Sequence, residues 1–161
     1  MHPNIERVRT ALVAAGATGE PVLLDDAART AVQAAEALGI SVGQIANSLV
    51  FDAAGEAVLV LASGAYRVDT AKVAALLGVG RVERPGADFV RTHTGFAIGG
   101  VPPLGHATAL RTLVDRTLAE HDAIWAAAGH PHAVFPTTYD ELVRITCGQP
   151  ADVVVTDQRV D

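Results

Sequence analysis

Aromatic residues make up only 4% of this 161-residue chain: one tryptophan, two tyrosines and four phenylalanines. A core of stacked rings is excluded, and burial falls to alanine, valine and leucine. A single cysteine, Cys147, excludes an internal disulfide and suits a reducing cytoplasm. Lys72 is the one lysine, and the formal net charge is −6. That balance disfavours a broad grip on a nucleic-acid backbone, and no DNA partner is expected. No apolar run approaches the ~20 residues of a membrane span, and no membrane partner is expected. The start, Met1-His2-Pro3-Asn4, lacks the basic and apolar regions of a secretory signal.

Several chemistries are missing too. There is no Cys-x-x-Cys and no His-Glu-x-x-His, and Pro131 interrupts the pair His130 and His132. No metal site and no cofactor are expected. Gly95, Gly99 and Gly100 do not match the dinucleotide fingerprint, and no Lys-Ser or Lys-Thr follows them as in a phosphate-binding loop. The Gly-x-Ser-x-Gly elbow of many serine hydrolases is absent.

What is present suits one domain, taken as residues 1–161. Half the residues are hydrophobic and 19% are charged, which excludes a disordered chain. A chain of this length buries about two-thirds of its surface. Basic residues gather between Arg67 and Arg91, while the stretch from Arg116 onward is acidic.

Periodicity predicts helices over residues 4–15, 30–38, 70–77 and 139–146. Thr30 is a natural N-cap, and Asp69 or Thr70 caps the third helix. Ser41 with Gln44 and Thr138 with Glu141 have capping-box spacing. Strands are expected at 21–24, 48–51, 57–61, around Val82, at 110–114, 124–128, 133–135 and 153–155. Residues 48–61 read as a hairpin with a loop of about four residues, and Pro136 is expected to break the strand before it. Residues 88–92 suggest a helical turn. Cys147, late on an amphipathic helix, reads as a buried small hydrophobe rather than a nucleophile.

Thr94 to Gly105 is the unusual stretch, with four glycines and two prolines in twelve residues. Such a composition cannot form a regular element. Glycine lets a backbone approach a ligand closely and proline stiffens it, so the loop can present fixed amides to a carbonyl or a developing oxyanion. His93 and His106 flank it. Asn47 and Ser48 lie where a short helical turn becomes a strand.

Four segments then carry a resemblance: Arg29-Thr30-Ala31 through Ile45-Ala46-Asn47-Ser48-Leu49-Val50-Phe51; Tyr66-Arg67-Val68-Asp69 with Lys72; Thr94 through His106; and Asp140-Glu141-Leu142. In order and spacing, over about residues 20–155, the chain resembles the YbaK/EbsC family, related to the editing insertion of prolyl-tRNA synthetase. The third segment is similar to the family's Gly-x-x-x-Pro loop, here Gly99 to Pro103. The resemblance implies an α+β fold: a curved, largely antiparallel mixed sheet, barrel-like, surrounded by helices. It implies a free-standing, metal-independent deacylase that hydrolyses the ester of a mischarged tRNA, such as cysteine or alanine on proline tRNA. Its partners would be the tRNA acceptor end and, in addition, an aminoacyl-tRNA synthetase.

The loop residues Gly99, Gly100, Val101, Pro102 and Pro103, with Asn47, would form the catalytic cradle. Arg29, Thr30, Ser48, Arg67, Gly105 and His106 would bind substrate. Two positions depart from the pattern: the family's aspartate on the late strand is not evident, with Val134 or a neighbour in its place, and the other departure is Asn47. Family members that edit carry lysine where this chain has Asn47, and a lysine there is understood to contact the nucleotide end. Arg29, Arg67 or Lys72 are the expected compensating cations. The rival expectation is a non-catalytic ligand- or partner-binding protein on the same fold.

Overall fold

The computed structural model describes residues 2–25, 28 and 30–155. Its helices are α1 (Pro3–Ala14), α2 (Ala31–Leu38), α3 (Thr70–Leu77), α4 (Ala87–Thr94) and α5 (Tyr139–Thr146). Its strands are β1 (Val22–Leu23), β2 (Ile45–Ala53), β3 (Glu56–Ser63), β4 (Arg67–Val68), β5 (Arg111–Asp115), β6 (Ile124–Ala127), β7 (Ala133–Thr137), β8 (Gln149–Ala151) and β9 (Val154–Val155). Seven strands form one mixed sheet in the order β1-β7-β6-β2-β3-β5-β8, and β4 pairs with β9 separately. The fold is α+β, with the sheet set among helices.

The long β2–β3 hairpin organises the sheet. Side chains alternate across a strand, so Ala57, Leu59 and Leu61 join one core cluster while Val58, Val60 and Ala62 join the other. Both faces of β3 are covered, which explains its unbroken apolar run. Ile5, Val8 and Leu12 of α1 recur at helical spacing and pack into the first cluster with Phe96, Phe135 and Leu142. Each such valine or leucine stabilises the fold by about 1.5–3 kcal/mol. α3 sends Val73 and Ala74 into the second cluster.

Several sequence expectations are corrected. The hairpin loop has two residues, because Ala53 pairs with Glu56. Ala54 and Gly55 both take positive φ, at 54° and 91°, the pattern that matches the twist of the flanking strands. Asp52 Oδ1 accepts from the Gly55 amide at 2.7 Å and supports the turn. Strand β7 runs through Pro136, which pairs with Trp125. β1 reaches only Ala133 and Val134, so the side of Pro136 away from β6 has no strand neighbour to miss its N–H.

Val82 is buried but lies in no strand; its neighbour Glu83 bridges to Asp52. The turn expected at 88–92 is a helix of two turns, α4. Glu141 does not close a capping box. The Thr138 side chain accepts from the Glu141 amide, but the Glu141 carboxylate accepts from Thr137 Oγ1 at 2.7 Å and from Thr18. Cys147 is exposed and caps α5 at φ 52° rather than entering the core. β4 and β8 carry too few residues for any period to show. No helix among the described residues is long and apolar enough to cross a membrane.

Candidate active site

A cavity of about 210 Å³ opens where β2 and β6 separate. The two strands pair only at Ile45–Trp125 and Ala46–Ala126. Beyond that point Asn47 to Val50 form one wall and Ala126, Ala127 and Val134 the other. α2 supplies Ala31 and Ala34, with Thr30 at its start. The Thr30 hydroxyl accepts from the Gln33 amide at 3.1 Å, and Gln33 Oε1 accepts from the Thr30 amide at 3.2 Å, a complete capping box that fixes this end of α2. The glycine-proline loop closes the cavity with Ile98, Gly99 and Val101.

The loop is built as a stiff hoop. α4 ends at Gly95, with φ 80°. The Thr94 hydroxyl donates to the Val90 carbonyl at 2.7 Å and accepts from the Phe96 amide at 3.0 Å. The Ala107 amide donates to the Thr94 carbonyl at 2.9 Å and ties the far end back. Within the hoop the Gly100 amide donates to the Ala97 carbonyl at 3.0 Å, with Gly99 at φ 92°. A turn with positive φ at its third residue requires glycine there. Ile98, half exposed, forms its tip.

This geometry sorts the amides. Pro102 and Pro103 have no N–H, and that of Gly100 is committed to Ala97. The Gly99 and Val101 amides carry no hydrogen bond to another described residue, and both residues line the cavity. Gly100 backs onto Gly129 and His130: an added Cβ would lie 3.0 Å from His130 Cα. Pro102 and Pro103 are buried behind the loop.

His106 turns inward. Its Nε2 donates to the Pro102 carbonyl at 2.7 Å, which fixes the proton on that nitrogen. Burial, with a smaller contribution from the Arg7 guanidinium, holds His106 below its ordinary range against the opposing pull of that hydrogen bond. That shift favours the neutral ring. Arg7 itself lies over the Phe96 ring, 4.2 Å from its centre.

Thr30, Asn47, Ser48, Gly99 and Val101 therefore meet in one cavity; the other expected residues among those described do not line it. Arg67 is on β4, paired with Val155 of β9. Gly105 backs onto Ala11 of α1. Lys72, an expected compensating cation, donates to Asp152 at 3.1 Å and to the Val154 carbonyl at 2.9 Å. Arg29 lies outside the described residues. The His93 ring packs at a 45° tilt against Phe89, with ring centres 4.3 Å apart, and does not line the cavity.

Sequence reasoning missed Arg84, the one cationic residue lining the cavity among the described residues. Its guanidinium lies 5.5 Å from the centre of the Phe51 ring. It stands in a loop with no periodicity to mark it. One residue of the wall carries an unsatisfied group: Ser48 Oγ is inaccessible to solvent and has no hydrogen-bond partner among the described residues. Among the described residues no group of three His, Cys, Asp or Glu is placed to hold a metal ion.

The model of the aminoacyl-tRNA editing domain matches residues 25–145, which contain the whole cavity. The uncharacterised protein YwhH of Bacillus subtilis (strain 168) is 30% identical over 140 residues, covering 86% of this chain and 88% of that one. Among solved structures, a candidate trans-editing enzyme for prolyl-tRNA synthetase superposes with a TM-score of 0.92 at 42% identity. The match covers 96% of this chain and 99% of that one. The hypothetical protein APE2540 superposes with a TM-score of 0.85 at 29% identity, over 92% of this chain and 99% of that one.

Proposed function

Because the chain belongs to the aminoacyl-tRNA editing domain family, we propose that it is a free-standing deacylase that hydrolyses the ester of a mischarged tRNA without a metal ion. The observation that carries this reading is that Gly99 and Val101, whose amides have no hydrogen bond to another described residue, line one cavity together with Asn47 and Ser48. An ester carbonyl placed against those amides would develop its negative charge beside two donors with no other hydrogen bond to a described residue. Removing one such donor in comparable sites costs about 10²–10³ in rate. The rest of the acceleration would come from holding ester and water together. Gly100, Pro102, Pro103 and His106 would act by holding the loop in shape rather than by touching substrate. Thr30 and Ser48 would line the aminoacyl end. The partner is the acceptor end of tRNA, and a synthetase that releases such products is the natural second partner. The solved relative described as a candidate trans-editing enzyme for prolyl-tRNA synthetase supports proline tRNA as the first carrier to test.

The second reading, a binding protein without turnover, rests on Asn47. Asparagine can donate a hydrogen bond but brings no charge. A panel of correctly and wrongly charged tRNAs, including Cys-, Ala- and Ser-charged proline tRNA, decides between the two. The hydrolase reading expects the wild-type chain to release at least one amino acid, with EDTA making no difference. No release from any member by wild type, with release gained in Asn47→Lys, would establish the binding reading.

A further inference from the structure

The glycine-proline loop is a partition between two cavities. Ile98, Gly99 and Val101 line the one described above, while Gly95, Ala97 and Gly100 line a second, of about 370 Å³. His2 and Asn4 at the start of α1, Arg91 of α4 and His130 of the turn between β6 and β7 supply its polar side chains. Among the described residues no aspartate or glutamate lines it, in a chain of net charge −6.

The side chains of this second cavity offer donors instead. The Asn4 amide donates to His2 Nδ1 at 3.1 Å, and the His132 amide donates to His130 Nδ1 at 3.3 Å, so each ring carries its proton on Nε2. The two rings lie 5.1 Å apart. The Asn4 carboxamide and the Arg91 guanidinium make no hydrogen bond or ion pair with another described residue. Asp88, one turn before Arg91 on α4, does not pair with it, and Glu6 of α1 pairs with Arg9 at 3.3 Å. The Arg7 guanidinium adds a second cation, because it lies against Gly95: a Cβ there would be 2.6 Å from Arg7 Nη2. The backbone at the start of α1 is already satisfied, with the Ile5 and Glu6 amides donating to the His2 carbonyl.

We propose that this second cavity is a binding site for a phosphoryl group, on the back of the loop. Two cations without a neighbouring carboxylate set a positive potential there, which favours a dianion. Guanidinium, carboxamide and imidazole donors from separate elements suit a tetrahedral oxyanion, whose oxygens spread in several directions. A planar carboxylate would meet fewer of them. The Gly100 amide donates to the Ala97 carbonyl, and both residues line this cavity, while Gly99 between them and the active-site cavity lines the other. A bound anion would therefore brace the back of the loop against α1 and α4 without entering the active-site cavity. The site does not depend on the tRNA reading.

The full chain, labelled with ¹⁵N, is titrated with sodium phosphate at fixed pH, with sodium chloride of matched ionic strength and sodium acetate as comparison arms. Saturable shifts of the Gly95, Ala97 and Gly100 amides are expected with phosphate but not with chloride or acetate. Arg91→Gln should weaken phosphate about tenfold or more, the loss of one charge-assisted contact, and Asn4→Ala should weaken it less. A hairpin of the tRNA acceptor stem then distinguishes two sources of the phosphoryl group. Competition with phosphate for these shifts assigns the site to a nucleic-acid backbone, and undisturbed phosphate shifts assign it to a small phosphorylated ligand; either result keeps the site. Equal shifts with phosphate and chloride overturn it. So does phosphate binding that Arg91→Gln leaves intact, or shifts confined to Asn47, Ser48 and Val101 of the first cavity.

Discussion

His106 Nε2 and the Pro102 carbonyl oxygen, 2.7 Å apart, lock the descending half of the glycine-proline loop to its own base. Removing the ring leaves a buried carbonyl without its donor, which costs about 1–3 kcal/mol. His106→Ala should lower stability by that amount, and His106→Gln, which keeps a donor, by less. The depressed basicity of His106 adds a pH signature. Its folded-state value is below its unfolded value, so the neutral ring's contribution is complete above the ordinary histidine range and is lost as pH falls through the folded value. Urea unfolding at a series of pH values should show this loss on acidification in wild type and a flatter profile in His106→Gln. Identical profiles would contradict it.

Gly99 and Gly100 are adjacent but constrained differently. Gly99 has space for a Cβ, with Pro131 Cγ at 3.8 Å, but sits at φ 92°. Gly100 has ordinary backbone angles, but a Cβ would press on the His130 and Gly129 backbone. Gly99→Ala should cost about 1–2 kcal/mol through its backbone alone and shift the turn. Gly100→Ala should lower the melting temperature more, because two backbones must part. Equal melting temperatures for the two variants would refute this assignment.

Asp115 is fully buried and accepts from the Ser63 amide at 2.9 Å, the Thr117 amide at 2.9 Å and the Thr117 hydroxyl at 2.8 Å. It joins the end of β3 to the turn after β5. Hydrogen bonds to a charged group are worth roughly 1.5–3 kcal/mol each. Asp115→Ala should therefore cost at least about 3 kcal/mol in denaturant unfolding, and Asp115→Asn less. A loss below about 1 kcal/mol would show that these contacts do not hold the strand ends.

Much of this architecture was legible in the sequence. Capping residues and glycine stops marked α2 and α3, and the apolar run of β3 marked the centre of the sheet. The loop up to Gly105 was legible as an irregular segment because its composition excludes a regular element, and Ile98, Gly99 and Val101 of it line the cavity. The pairing of β2 with β6 and β3 with β5 was not, since parallel register depends on contacts far apart in the chain. Pro136 misled because edge position cannot be read locally. The inward turn of His106 and the arrival of Arg84 at the cavity depend on tertiary packing, which residue type alone does not encode.

The most direct test of the central claim compares wild type with Gly99→Ala on the best-hydrolysed charged tRNA, measuring single-turnover release and tRNA affinity together. The account expects release to fall by about 10²–10³ with affinity kept, since it assigns the Gly99 and Val101 amides to the developing charge. Unchanged release in a folded Gly99→Ala chain would show that the loop amides do not carry the chemistry.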